Sequence, residues 1–161
     1  FGPDHTWNGV DSSRGAENVN GLLPYLEPSH AFVDVTGVGD GVPRQLSCEA
    51  TGVQFGESAP EPEESERVDA HCHRMRDYLY WAVREWLRTD DAMLPPDDEL
   101  AEELTCLTYE RDDLQGIQVM KKKAMKKALD RSPDKLDSLA LTFAPQRGPQ
   151  YAEYDADALF G

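Results

Sequence analysis

The chain has 161 residues, a mass of 18.0 kDa, a formal net charge of −15 and a pI of about 4.5. This length fits one domain with its own hydrophobic core, and the lack of any apolar run of roughly 18 residues argues against a membrane span. Such acidity is unusual for a DNA-binding protein, whose phosphate contacts come from lysine and arginine, unless the acids lie away from the binding face or the protein is salt-adapted.

The first half of the chain predicts a helix followed by two parallel strands. Residues 15–23 indicate a helix that ends near Pro24. The apolar runs 31–35 and 51–55 predict strands, and the short helix expected around 41–47 would connect them as a parallel crossover. Asp34 stands at the end of the first strand, before a glycine-rich turn, where function collects in open α/β sheets. Alternatively, Asp34 only caps the turn.

The middle of the chain predicts a long helix, a short helix and a hairpin. Residues 58–66 are rich in proline and glutamate and indicate a loop. A helix is predicted from about 66 to 89 because its apolar residues recur at spacings of three and four, namely Val68, Cys72, Met75, Leu79, Ala82 and Trp86. Residues 95–100 begin a short helix, and 105–111 with 116–120 alternate as a hairpin.

A second acidic pattern opens the last predicted helix. Ser132 is the expected N-cap, and Pro133 suits the first helical position. Asp134 and Asp137 are three residues apart and therefore share one face of the first turn. These two acids either form part of a site or merely favour the positive end of the helix dipole.

Several segments together resemble the C-terminal nuclease domain of the large terminase subunit of tailed bacteriophages, from about Leu22 to Ala144. The first marks are Phe-Val-Asp-x-Thr-Gly-x-Gly at 32–39, Val-Gln-Phe-Gly at 53–56 and Arg-Met-Arg-x-Tyr at 74–78. Further along come Pro-Pro-Asp-Asp-Glu-Leu at 95–100, Lys-Lys-x-Met-Lys-Lys at 122–127 and Arg-Ser-Pro-Asp-x-x-Asp-Ser-Leu-Ala-Leu-Thr-Phe at 131–143. The order and spacing of these segments, rather than any one of them, make the resemblance specific.

The resemblance implies an α/β domain with an RNase H-like mixed sheet and flanking helices over residues 1–144, followed by a flexible acidic tail at 145–161. We expect this tail to be poorly ordered or to dock on a neighbour. Relatives begin with a three-stranded meander that carries their first catalytic acid. We expect the meander to be missing here, because only about a dozen residues precede the first helix, whereas three strands need roughly 20. Asp4 and Asp11 are the candidates to replace its acid.

The resemblance also implies an endonuclease that cuts concatemeric double-stranded DNA with two Mg²⁺ or Mn²⁺ ions. Asp34 matches the second catalytic acid of the family, Asp137 matches the last, and Asp134 falls where relatives place an additional ligand. Carboxylates suit these hard cations. Because closely spaced carboxylates repel one another, we expect Asp137→Ala to preserve or raise thermal stability.

Partners and location follow from the same resemblance. Double-stranded DNA is the expected substrate, the portal and the small terminase subunit are further candidate partners, and the setting is the cytoplasm of the host cell. The basic run before the last helix is the expected contact to the DNA backbone or, alternatively, a solvated helix face; it comprises Lys121, Lys122, Lys123, Lys126 and Lys127. Two other interpretations stay open: a non-catalytic remnant or interaction module of the same ancestry, and an unrelated acidic α/β protein.

Overall fold

A computed structural model describes residues 5–7, 9–36, 41–62, 65, 68–89, 91–112 and 116–145. The helices in this part of the chain are α1 (Ser12–Leu26), α2 (Met75–Thr89), α3 (Asp98–Cys106), α4 (Lys122–Leu129) and α5 (Asp134–Leu141), with a 3₁₀ turn at Pro43–Gln45. The strands are β1 (Ala31–Asp34), β2 (Ala50–Val53), β3 (Tyr109–Arg111) and β4 (Ile117–Val119). The α/β class predicted from the sequence is confirmed.

The strands form two small sheets rather than one mixed sheet. β1 and β2 pair in parallel, with Asp34 opposite Val53, so the predicted parallel pairing is confirmed. β3 and β4 pair antiparallel as the predicted hairpin, with Tyr109 opposite Val119. In the described residues that precede α1 there is no strand.

Helix α1 is longer at both ends than the sequence predicted. The side chain of Asp11 caps its first turn by accepting a hydrogen bond of 2.8 Å from the Arg14 amide. The helix continues past Pro24 to Leu26, where Glu27 adopts a left-handed conformation and closes the end. Asn20 ties this helix to the 3₁₀ turn through bonds of 2.8 Å with the Gln45 carbonyl and the Ser47 amide. Asp11 therefore has a structural role, and Asp4 lies outside the described residues.

The long helix predicted from residue 66 begins only at Met75, so its predicted start is wrong. The segment before it is extended because it pairs with residues that are distant in sequence: Ile117 of β4 donates to the His71 carbonyl, and Met75 donates to the Glu57 carbonyl, both at 2.8 Å. Val68 and Cys72 are nevertheless buried, as the apolar stripe requires. A short buried segment can show the same pattern of apolar residues whether it is helical or extended. The pattern therefore predicted the burial correctly but not the backbone conformation.

The hydrophobic core lies around α2, which packs against both β4 and α5. Its largest fully buried apolar and aromatic side chains are Tyr80, Met75, Leu79, Ile117, Met125 and Leu136. Full burial of a large apolar side chain stabilises a fold by about 1.5–3 kcal/mol, so α2 anchors the domain. Among the helices of the described residues, none has the length and apolarity needed to cross a membrane.

Candidate metal and nucleic-acid site

Helix α5, which carries two of the predicted acids, is capped by another helix. It begins at Asp134, and its N-cap is Pro133, which makes no side-chain cap, so the prediction of Ser132 as N-cap is wrong. Instead, the buried Glu103 of α3 accepts a hydrogen bond of 2.7 Å from the Leu136 amide in the first turn. The start of α5, and with it the position of Asp137, therefore depends on α3.

The carboxylate of Asp137 is buried, with only 7% of the residue exposed, and both of its oxygens are engaged. Oδ1 accepts a very short hydrogen bond from the Tyr80 hydroxyl, and Oδ2 lies 2.5 Å from Lys122 Nζ. Burial, together with the negative charge of Asp137, raises the pKa of Tyr80 far above its ordinary value, so the phenol stays protonated as a donor. A buried carboxylate needs such partners, because desolvation of an unpaired charge is costly.

A second cation, Arg76, supports this arrangement from α2. Its guanidinium carbon lies 4.5 Å from the centroid of the Tyr80 ring, and its Nη1 donates to the Met120 carbonyl at 2.6 Å. Arg76 therefore holds the tyrosine that in turn orients Asp137. Nothing local in the sequence indicates that the Tyr80 hydroxyl meets an acid on α5.

Asp34 lies at the carboxyl end of β1, as predicted, and α5 contacts β1. Its Oδ1 accepts a hydrogen bond of 2.8 Å from the Thr36 amide, so the turn-capping role considered as an alternative does occur. Within the described part of the chain, no partner contacts its Oδ2. Asp134 is exposed in the first turn of α5.

The described residues contain no group of three His, Cys, Asp or Glu side chains arranged to hold a metal ion. The structure instead brings Asp137 together with Tyr80 and Lys122, and it places Asp34 on the element next to α5. The carboxylates of Asp34 and Asp137 nevertheless suit a divalent cation, because carboxylate oxygens are hard ligands. The buried Asp137 also already binds a cation, the Lys122 ammonium.

The predicted basic run is divided between two environments. Helix α4 directs Lys122 towards Asp137, on the same face as the buried Met125. The other members of the run remain exposed, namely Lys121, Lys123, Lys126 and Lys127. These four side chains concentrate positive charge on helix α4 and at its N-cap, in an otherwise acidic chain.

The β3–β4 hairpin is fastened to α2 and to the segment before it. The buried Asp77 accepts a hydrogen bond of 2.9 Å from the Val119 amide of β4. His73 makes a very short bond to Asp112 at the end of β3, and Asp112 also accepts from the Gly116 amide at 2.8 Å. A side chain at position 116 would meet the His73 ring, since an added Cβ would lie 2.5 Å from its Nε2.

Comparison with solved structures shows which fold this arrangement represents. The nuclease domain of the large terminase subunit gp2 of bacterial virus Sf6 matches with a TM-score of 0.64 and 22% identity, over 86% of this chain and 74% of that one. A lysine-to-alanine variant of that domain with manganese matches with a TM-score of 0.64 and 21% identity, over 86% and 75%. The same subunit's variant with calcium matches with a TM-score of 0.64 and 23% identity, over 85% and 74%.

No protein-family model and no curated protein matches the chain. The structural matches show that the chain has the RNase H-like fold of the terminase nuclease domain, as the sequence resemblance predicted. Because sequence identity with these structures is low, the likeness concerns the fold, and function rests on the site itself.

Proposed function

We propose that this chain is the metal-dependent endonuclease domain of a phage DNA-packaging terminase large subunit, which cuts concatemeric double-stranded DNA. The observation that carries this proposal is the buried Asp137 carboxylate, held by Tyr80 and neutralised by Lys122, on the helix that contacts the strand of Asp34. Burying a carboxylate costs free energy that a purely structural helix position would avoid. The position therefore suits a site that exchanges cations.

Asp34 and Asp137 are the residues that would hold Mg²⁺ or Mn²⁺, with Asp134 as a supporting ligand. A divalent ion supplies Lewis acidity to the phosphate and lowers the pKa of water. The chain contributes orientation: Tyr80 fixes one oxygen of Asp137, and Glu103 fixes the turn of α5 from which Asp137 projects. Lys122 is partly exposed, so its ammonium can leave Asp137 for solvent when an ion enters.

The DNA backbone would run along the exposed lysines of α4, which begins one residue after Lys121 and carries the lysine that touches Asp137. Local positive charge can bind phosphates even where the net charge is negative, because screening limits distant repulsion to about 10 Å at ordinary salt. Phosphate contacts carry no sequence information, so cutting should show little sequence preference. The portal and the small terminase subunit are proposed partners in the host cytoplasm.

A second candidate function is a non-catalytic interaction module with the same fold. It is favoured by the absence of a three-ligand cluster in the described residues and by the full pairing of Asp137. In this alternative, Lys122 and Asp137 form a permanent structural ion pair.

A cleavage assay on supercoiled plasmid separates the two functions. With Mn²⁺ or Mg²⁺ the endonuclease converts supercoiled plasmid to nicked and linear forms, and chelation stops the reaction. The wild type is compared with Asp34→Asn, because the neutral amide of asparagine lacks the negative charge with which the carboxylate would bind the ion. Cleavage that is absent under every metal condition would favour the interaction module, and cleavage that is equal in Asp34→Asn would mean that Asp34 does not hold the ion.

Removing the lysine beside Asp137 should strengthen metal binding. In Lys122→Met the Mn²⁺ ion no longer displaces an ammonium, so we expect about tenfold tighter binding, or roughly 1.4 kcal/mol. Without metal the same variant should lose about 1–2 kcal/mol of stability, because Asp137 keeps its burial without its cation. Calorimetric titration and thermal unfolding measure the two effects, with the exposed neighbour variant Lys123→Met as control. Weaker Mn²⁺ binding in Lys122→Met would mean that the lysine positions the carboxylate instead of competing for it.

Neutralising the exposed lysines of α4 should weaken DNA binding and reduce its salt dependence. In the double variant Lys126→Ala, Lys127→Ala, each lost phosphate contact should lower the slope of log K against log salt by about 0.9. Fluorescence anisotropy with labelled duplex DNA at several salt concentrations measures this slope. The matched control is Arg14→Ala, which removes an exposed charge from α1. An unchanged slope would place the DNA elsewhere.

A further inference from the structure

An apolar groove opens between α2, the end of α3 and the β3–β4 hairpin. It encloses a cavity of about 330 Å³. Apolar and aromatic side chains line it, including Trp81, Val83, Leu87, Leu104, Leu107 and Tyr109. Leu87 and Tyr109 are 38% and 45% exposed, so the groove is accessible from solvent.

The rim of the groove is cationic. The guanidinium carbon of Arg84 lies 4.3 Å from the Trp81 ring and 5.5 Å from the Tyr109 ring, and that of Arg111 lies 5.8 Å from the Trp81 ring. Arg88 also lines the groove and shares the carboxylate of Glu85 with Arg84. The single carboxylate of Glu85 thus pairs with two guanidinium groups, each of which has five hydrogen-bond donors.

The lining and the rim together indicate what kind of occupant would fit. An apolar groove with a cationic rim suits a segment that combines large apolar side chains with negative charge.

The end of the chain has this composition. Residues 151–160 read Tyr-Ala-Glu-Tyr-Asp-Ala-Asp-Ala-Leu-Phe, with three acids, four large aromatic or aliphatic side chains and no lysine or arginine. Near the end of the described chain, the Phe143 ring lies 5.6 Å from the ring of Trp86 on α2, one of the elements that form the groove. The residues from 146 to 160 can span up to about 50 Å, more than enough to cross a domain of this size.

We propose that segment 151–160 docks in this groove of its own chain, with Leu159 and Phe160 in the apolar cavity and the acids at the arginine rim. The docking is independent of the nuclease proposal. It nevertheless bears on the acidic site, because Tyr80, which holds Asp137, also borders the cavity.

Hydroxyl-radical footprinting of the intact chain tests the docking. Oxidation is measured at Leu87 and Tyr109 in the groove and at Tyr25, which is 85% exposed on α1, as an internal reference. The variant is Phe160→Ser, and the matched control is Gln150→Ser, which removes no aromatic ring. A tail that docks in half of the molecules or more should give a rise of about twofold or more at Tyr109 in Phe160→Ser, with Tyr25 unchanged.

Three results would overturn the proposal. Equal oxidation of Tyr109 in the wild type and in Phe160→Ser would mean that the tail does not cover the groove. An equal rise in Gln150→Ser would mean that the aromatic side chain is not what docks. Protection that disappears when the wild type is diluted would identify a second copy of the chain as the occupant.

Discussion

Replacing Asp137 with asparagine should lower Mn²⁺-dependent plasmid cleavage by at least about a thousandfold. A bound metal ion supplies several kcal/mol of transition-state stabilisation, and about 4 kcal/mol corresponds to this factor. Asparagine keeps an acceptor for the Tyr80 hydroxyl but removes the charge that attracts the ion. Single-turnover cleavage measures the effect.

Two variants with the same chemical change calibrate this result. Asp134→Asn alters the exposed acid one turn earlier and should reduce cleavage by about 10–100-fold, as expected for a supporting group. Asp98→Asn alters an exposed acid in the first turn of α3 and should leave cleavage unchanged. If Asp137→Asn cleaved as fast as Asp98→Asn, the acid on α5 would have no part in the reaction.

The stability of Asp137 variants should also differ from what the sequence predicted. Carboxylate repulsion is the reason to expect that Asp137→Ala preserves or raises stability. The structure contradicts that premise, since Lys122 neutralises the carboxylate and Tyr80 donates a hydrogen bond to it. Alanine leaves a buried hydroxyl and a partly buried ammonium without their acceptor, which should cost about 3 kcal/mol. Thermal unfolding without metal measures this loss, and unchanged or higher stability would mean that neither bond contributes.

The second large effect should come from Glu103→Ala, which should destabilise the domain by about 3 kcal/mol or more. The substitution removes the cap of the Leu136 amide and leaves Arg131, whose Nη1 lies 3.1 Å from Glu103 Oε1, without its buried partner. The matched control is Glu102→Ala, which removes an exposed partner of the same arginine and should cost less than about 1 kcal/mol. Chemical denaturation measures both values, and equal losses would contradict the capping role.

The pH dependence of stability that arises from Glu103 provides an independent check of how this carboxyl group is buried. Burial raises its pKa above the ordinary value, and the negative charges of Asp134 and Asp137 add to the rise, despite the opposing effects of the Leu136 amide and Arg131. The folded state therefore binds more protons than the unfolded state between the two pKa values, and stability falls as pH rises from about 4.5. In Glu103→Gln this contribution should vanish. A variant that retained the full slope would assign it to other groups.

The sequence predicted those features that depend on local pattern. The strand that ends at Asp34, its parallel partner and the β3–β4 hairpin follow from apolar runs and turn residues. It misplaced the start of α2, because Val68 and Cys72 fit a helical stripe although the segment before the helix is extended, and Cys72 pairs with Ile117, which is remote in sequence. It also misassigned the cap of α5, because Glu103 reaches that helix from α3.

The acids of the site were accessible to sequence reasoning, but their partners were not. Asp137 appeared as an acid in the first turn of a helix, whereas its contacts to Tyr80 and Lys122 arise from the packing of α2 and α4 against α5. The sequence offered only a partial signal for Lys122, which lies three residues before the buried Met125 and therefore shares its helical face. Lys121 lies four residues before Met125 and is nevertheless exposed, so the spacing alone does not identify the lysine that points inward.

Calorimetric titration of Mn²⁺ into the wild type, Asp34→Asn and Asp137→Asn tests most directly whether the two carboxylates form one metal site. We expect saturable binding to the wild type, with affinity at least about tenfold lower in each variant, because each loses a charged ligand. Binding to the wild type that is absent, or unchanged in Asp34→Asn, would contradict a site shared by β1 and α5.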